Sequence, residues 1–483
     1  MYLGIDLGTS GVKGVLMDED GALVAGATAP LSVERPHEGW SEQDPASWTR
    51  AIESTFASLA ASHAREMAAV RGIGLSGHMH GATLLDAADE PLRPCLLWND
   101  TRAHAEAARL DTGRSREIAG NILFPGFTAP KTAWVANHEP ATFARVAKVL
   151  LPKDYARLWL TGEHVSDLSD ASGTGWLDVG ARDWSDELLA ASGLGREHMP
   201  ALVEGSEVSG TLRADIAARH GMGAKVVVAG GAGDNAASAC GMGTVAAGSA
   251  FLSLGTSGVL FAANDAYRPN AASAVHAFCH ALPETWHQMG VILAATDALN
   301  WLAGITGRSA AELTAPLEGR APEPTEVLFL PYLGGERTPH DDAAARGAFV
   351  GLGHASDAET LTRAVLQGVA FAFRDSLDAL RSAGTVLERA TAVGGGSRSG
   401  HWLQLIADAL DLPLDVSAGG DVGASLGAAR LGLIAAERAD PVTVCTPPRV
   451  ERSIEPASGG RARWDELHTR YGAAYRALRE MGD

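Results

Sequence analysis

The chain has 483 residues, more than one ordinary hydrophobic core supports, so two or three domains are expected. With 46% hydrophobic and 20% charged residues and 56 glycines, it has the composition of a compact α/β protein rich in tight turns, which excludes a disordered or fibrous chain. Its 58 acidic residues against 39 basic ones give a formal charge of -19, which argues against nucleic-acid binding, and no run approaches the roughly 18 apolar residues of a membrane span.

The chain begins MYLGIDLGTS, which enters a strand-like segment without a basic, apolar leader, and a cytoplasmic location is expected. Cys95, Cys240, Cys279 and Cys445 lack CxxC spacing, so they signal neither a zinc site nor a disulfide framework. Residues 7–12 read LGTSGV, and residues 254–259 read LGTSGV again. Each copy sits between two short apolar runs, YLGID and VKGVLM in the first and SAFLS and VLFAA in the second, so each reads as strand, turn, strand. The repeat predicts two related halves facing each other across a cleft. A turn of Gly, Thr and Ser exposes N–H groups and hydroxyls able to surround phosphate oxygens, although either copy alone also reads as an ordinary β-turn. Only the first carries charge, with Asp6 and Lys13 where the second has Ser253 and Leu260. Asp6 suits magnesium held through water, and Lys13 suits phosphate charge.

Asp44 followed by Pro45 predicts a helix start, and Trp48, Ile52, Phe56 and Leu59 then recur at helical spacing. GHMHGATLLD at 77–86 and LLWNDTR at 96–102 offer two histidines, an Asn and an Asp near strand ends, the donors and acceptors a polyhydroxyl ligand needs. A metal on His78 and His80 lacks a third ligand at a suggestive spacing. In VVVAGGAGDNAASACGMG, 226–243, a buried strand runs into a glycine turn ending at Asp234 and Asn235. That position suits Asp234 equally as a helix cap and as the base that takes a hydroxyl proton. The match of Gly231, Gly233 and Ala236 to a dinucleotide fingerprint fails, because no Asp or Glu occurs between Asn235 and Asn264 to hold a ribose. No GxxxxGK[ST] occurs either, which removes the P-loop enzymes. The domain boundary is expected in Met242 to Ala250, giving domains of 1–244 and 245–483. Strands are expected at Gly72 to Leu75, Val226 to Ala229 and Val327 to Leu330, a strand, three glycines and a helix at AVGGGSRSGHWLQLIADAL, 392–410, and a helix beyond Arg461.

These segments, with WSEQDP at 40–45, PGFTAPK at 125–131, LLPKDY at 150–155, FLPYLGGERTPH at 329–340 and GGDVGASLGAAR at 419–430, resemble the FGGY carbohydrate kinases over nearly the whole chain, and most of all the members that act on D-xylulose. The resemblance implies an α/β fold of two actin-like ATPase (ribonuclease H-like) domains with the active cleft between them. It implies Asp234 as the catalytic base, Met79, His80, Asn99 and Asp100 as sugar contacts, and Asp6 as the magnesium-associated residue. Thr9, Ser10, Lys13, Gly255 and Thr256 become phosphate-loop residues, and Gly395 and Gly396 the floor of the adenosine site. His78 departs from the pattern, since members acting on D-xylulose often have Gln there. The expected reaction transfers a phosphoryl group from ATP, with Mg2+, to a small ketose. Kinases of another ketose or a polyol are the alternative within the class, and a nucleotide-driven chaperone or filament the alternative outside it. A homodimer is compatible with this reading.

Overall fold

The structure, a computed structural model, describes residues 1–417 and 423–482. Two mixed sheets dominate it. In the first, the spatial order is Leu23–Pro30, Gly11–Met17, Tyr2–Leu7, Gly72–Gly77, Val227–Ala229 and Val208–Thr211, and the successive pairings are antiparallel, antiparallel, parallel, parallel, antiparallel. In the second, Trp286–Ile292, Gly258–Asn264, Ala250–Leu254, Ala390–Val393, Leu414–Ser417 and Val450–Ile454 repeat that sequence of pairings, with His276–Cys279 added at the edge. The duplicated LGTSGV thus marks the same corner of two topologically equivalent sheets.

Side chains alternate across a strand, and the first strand puts Leu3, Ile5 and Leu7 on one face and Tyr2, Gly4 and Asp6 on the other. The former pack with Trp48, Ile52, Phe56 and Leu59 of the helix Pro45–Ser62, which starts as expected: Asp44 accepts from the Ala46 N–H and Pro45 opens the first turn. The opposite face is covered from far along the chain, by the helix Gly423–Glu437. Glycines make that contact close enough for backbone to meet backbone: a Cβ on Gly4 would lie 2.0 Å from the Ser425 carbonyl oxygen, and one on Gly74 1.8 Å from that of Ala428. Two faces under helices explain why these strands read as almost unbroken apolar runs. The second sheet builds its core against the helix Ala358–Ser382, with Val365, Val369 and Phe373 among the buried side chains.

The expected strands form as Gly72–Gly77, Val227–Ala229 and Leu328–Leu330, and the final helix as Arg461–Gly482. Of GGDVGASLGAAR, the segment Gly419 to Val422 lies outside the described residues. All four cysteines are buried with free thiols. Among the described residues no helix is long and apolar enough to cross a membrane.

Candidate active site

A cleft cavity of about 280 Å³ opens where the two sheets meet. Asp6 and Lys13 line it from the first sheet, Phe251, Ser253 and Val393 from the second, and Asn235 and Ser238 from the helix Asp234–Met242. Asp6 and Lys13 are direct cross-strand partners and so emerge on one face. Asp6 Oδ1 accepts a hydrogen bond of 2.9 Å from Ser76 Oγ. Burial raises its carboxyl above the usual range, against the pull of that bond and of Lys13.

Asp234 is the first residue of its helix, and Gly233 occupies the cap position. Its Oδ1 accepts from the Asn235 N–H at 2.7 Å and from Asn235 Nδ2 at 3.0 Å. Burial, and then the negative charge of Asp6, push the Asp234 carboxyl up to about 6, while the Asn235 bonds oppose the shift. A carboxylate with that proton affinity is ionised at neutral pH yet takes a proton readily, which suits a general base.

Met79 is wedged between Gly173 and Gly233, where an added Cβ would come within 2.9 Å of its side chain in either case. His80 follows in the left-handed region, at φ 71°, a conformation that costs a non-glycine residue on the order of 1 kcal/mol. Its ring stacks on Phe127 with centroids 4.5 Å apart, and Nδ1 lies 2.6 Å from the Gly173 carbonyl oxygen. Burial takes the His80 ring down to about 3, so it is neutral. Nδ1 must then carry the hydrogen, which leaves Nε2 as an acceptor for a hydroxyl.

The helix Thr128–His138 holds both of the segments expected to contact the sugar. Thr128 Oγ1 donates to the His80 carbonyl at 2.9 Å, and Lys131 Nζ donates to the carbonyls of Leu96 and Leu97 at 3.0 and 2.8 Å. Lys131 is fully buried, and burial lowers its ammonium to about 7. Asn99 is half-buried, and its Oδ1 has no hydrogen-bond partner among the described residues. Asp100 is placed differently. Its oxygens accept from Arg102 at 2.7 to 3.1 Å and from the Ser41 N–H at 2.7 Å, and none of the residue is exposed. Arg102 in turn meets Glu42 at 2.7 Å and lies 3.5 Å from the centre of the Trp40 ring. His78 is buried against Trp48, with ring centroids 5.9 Å apart, and burial lowers its ring to about 3.

The duplicated turns differ in register. The first pairs Leu7 with Val12 and the second Leu254 with Gly258, one residue tighter for the same six letters. The start of the helix Thr296–Thr306 accounts for this, because the Gly255 carbonyl takes the Thr296 N–H at 2.9 Å and the Thr256 carbonyl the Ala295 N–H at 2.8 Å. In a trans peptide N–H and C=O point opposite ways, so anchoring those carbonyls turns the N–H groups of Thr256 and Ser257 away from the helix. In the first turn Ser10 is exposed, and Thr9 Oγ1 accepts from Trp98 Nε1 at 3.1 Å. Of the two glycines expected to floor the adenosine site, Gly395 is exposed with open space at its Cα, whereas a Cβ on Gly396 would meet Leu254 at 2.5 Å. Gly394, at φ 90°, lines the cleft itself.

The model of the FGGY family of carbohydrate kinases, N-terminal domain, matches residues 1–241, and that of the C-terminal domain matches residues 250–436. The chain belongs to the FGGY family of carbohydrate kinases. It is 51% identical over 439 residues to the xylulose kinase of Escherichia coli (strain K12), covering 90% of each chain. It is 61% identical to a "xyloylose kinase" from Brucella ovis, whose crystal structure superposes with a TM-score of 0.98 and 99% of each chain covered. The crystal structure of xylulose kinase from Rhodospirillum rubrum, 29% identical, gives a TM-score of 0.92, covering 100% of this chain and 99% of that one. These matches carry the two-domain architecture expected from the repeat and the actin-like ATPase fold that the family resemblance implied.

The site of this FGGY kinase also uses residues that sequence reasoning did not single out: Trp98, Phe127, Lys131, Gly173 and Ser76. Trp98 and Lys131 lie inside LWND and PGFTAPK, and a lysine in an apolar stretch was the available signal for the latter. Nothing in the text joins Gly173 to His80, 93 residues away.

Proposed function

We propose that this FGGY kinase transfers the γ-phosphoryl group of ATP to the terminal primary hydroxyl of D-xylulose, giving D-xylulose 5-phosphate and ADP. The choice of sugar rests on the relatives named xylulose kinases. The observation that carries the chemistry is the half-buried Asp234 carboxylate, its proton affinity raised towards neutrality by burial and by the nearby charge of Asp6, set between Gly233, which packs on Met79, and Asn235, which lines the cleft with Asp6 and Lys13.

In this reading Asp234 accepts the hydroxyl proton as the sugar oxygen bonds to the γ-phosphorus and the bond to the bridging oxygen of ADP breaks. Lys13, the Thr256 and Ser257 N–H groups and the hydroxyls of Thr9 and Ser10 face the phosphates, and Gly255 and Gly395 allow close approach by backbone and nucleotide. His80 Nε2 and the Asn99 amide meet the ketose. Asp100 acts by holding the loop that carries Asn99, and His78 by packing behind His80. Asp6 fits a magnesium ion held through water, because Ser76 fixes one oxygen and the carboxylate lines the cleft. Magnesium, when bound, neutralises charge on the phosphates. The same reading puts the enzyme in the cytoplasm and allows a homodimer. A coupled ADP-release assay over D-xylulose, D-ribulose, gluconate, glycerol and alditols tests it: D-xylulose should give the highest kcat/KM, and a higher value for another acceptor replaces the substrate.

A further inference from the structure

Behind the turn that delivers Asp234 lies a cluster of five charged side chains with no solvent exposure: Lys153, Asp154, Arg157, Asp167 and Asp170. Lys153 Nζ sits among the three carboxylates, 2.8 Å from Asp167 and 3.5 Å from Asp170, and Arg157 meets Asp154 at 2.7 Å. The carboxylates lie close enough together to hold a metal ion, but the ammonium already occupies their centre.

The cluster grips the catalytic turn at both ends. Arg157 donates to the Gly230 carbonyl, where the turn begins. At the other end the Gly233 N–H donates to Ser169 Oγ at 3.2 Å, and Ser169 donates to Asp167, whose Oδ2 also takes the Ser169 N–H at 2.9 Å. Gly233 immediately precedes Asp234. Three carboxylates against two cations leave one uncompensated negative charge in an interior without solvent exposure, where an unpaired ion is far costlier than a bound proton. Asp170 is the carboxyl where that proton belongs. Neither of its oxygens receives a hydrogen bond among the described residues, and its one ion-pair contact there is the longest of those Lys153 makes.

We propose that this cluster positions the Gly230–Gly233 turn, and hence Asp234, with Arg157, Asp167 and Ser169 as positioning residues and Asp170 kept as a neutral carboxylic acid that balances the charge. The positioning role rests on Asp234 being the base. Burial, with Asp154, Asp167 and Asp234 around it, drives the Asp170 carboxyl well above the usual range against the pull of Lys153, in agreement with the charge count.

Three variants of the full chain test the two halves of the proposal. Ser169→Ala removes the link from Asp167 to the Gly233 N–H while leaving every charge in place. A small displacement of a catalytic group costs up to about 100-fold in rate, so kcat should fall by roughly 10-fold to 100-fold at a temperature where a melt shows the variant still folded, with the KM for ATP unchanged. Wild-type kcat in Ser169→Ala, beside lost turnover in Asp234→Asn, overturns the positioning role alone. Wild-type turnover in Asp234→Asn overturns the base assignment and the positioning role with it. Asp170→Asn reads the proton without reference to activity. In the unfolded chain the Asp170 carboxyl ionises near pH about 4, whereas the folded chain keeps its proton, so wild-type stability falls with rising pH and that of Asp170→Asn does not share this loss. The melting temperature of Asp170→Asn relative to wild type should therefore climb steadily between pH about 4 and 8. A constant or falling difference means that Asp170 is ionised and overturns its assignment.

Discussion

At the residue scale, environment separates side chains that look alike in the sequence. Asp234 and Asp100 are both acidic residues beside an Asn, but Asp234 stands next to the cleft-lining Asn235 with a raised proton affinity, and Asp100 is spent on Arg102 and Ser41. Two predictions follow from the contrast. Because Asp234 must be ionised to accept a proton, kcat/KM should fall as the pH drops below about 6, and Asp6→Asn should shift that limb to lower pH by removing a charge that raises it. A limb that stays in place in a pH–rate profile of Asp6→Asn contradicts the coupling. His80→Ala should weaken ketose binding by about 1–3 kcal/mol, the cost of an unmade buried hydrogen bond, in a variant that a melt shows still folded at the assay temperature. Asp100→Ala should instead strand Arg102 with Glu42 alone and lower stability on the order of 3 kcal/mol. Titration calorimetry beside thermal melts separates the two outcomes. The sequence made Asp6, Lys13 and Asp234 stand out because the repeat and the glycine turn isolate them. It hid the fate of Asp100, because the Ser41 N–H that occupies it lies 59 residues away.

At the scale of elements, the helices and strands near motifs follow local signals. Asp44 and Pro45 start their helix by capping and fixed φ, and the apolar spacing of Trp48, Ile52, Phe56 and Leu59 buries the expected face. Turn register is different, since identical LGTSGV segments close with different pairings and the helix at Thr296 decides the second. The place of the helix Gly423–Glu437 was equally illegible. Its small residues give no apolar pattern that points to a partner, but they serve close packing against Gly4, Gly72 and Gly74 on one side and the Asp234 helix on the other. A Cβ on Gly427 would lie 1.7 Å from the Ala237 carbonyl oxygen, so Gly427→Ala should cost about 1–3 kcal/mol or more by overpacking. Gly223→Ala, where an added Cβ meets nothing within 4 Å, is the control and should stay within about 0.5 kcal/mol. Equal denaturation midpoints for the two variants contradict this account of the helix.

At the scale of the molecule, the repeat anticipated two equivalent sheets but not how the chain joins them. A division into 1–244 and 245–483 describes the sequence, whereas in space the helix Gly423–Glu437 returns from the second half to cover the first sheet, and its first residues line the cleft. Long-range packing of that kind leaves no local mark beyond glycine and alanine content. The consequence is a cleft whose walls come from both halves, with Asp6, Lys13 and Asn235 on one side and Phe251, Ser253 and Val393 on the other. The central claim is that Asp234 takes the hydroxyl proton in that cleft. Asparagine retains the shape and the hydrogen-bonding capacity of Asp234 but not its basicity, and steady-state kinetics of Asp234→Asn beside calorimetric titration of D-xylulose and ATP measures the difference. General-base assistance contributes about 10² to 10⁴ in rate, so kcat should drop by at least that range while both ligands still bind; a variant that binds both and keeps most of its kcat contradicts the account.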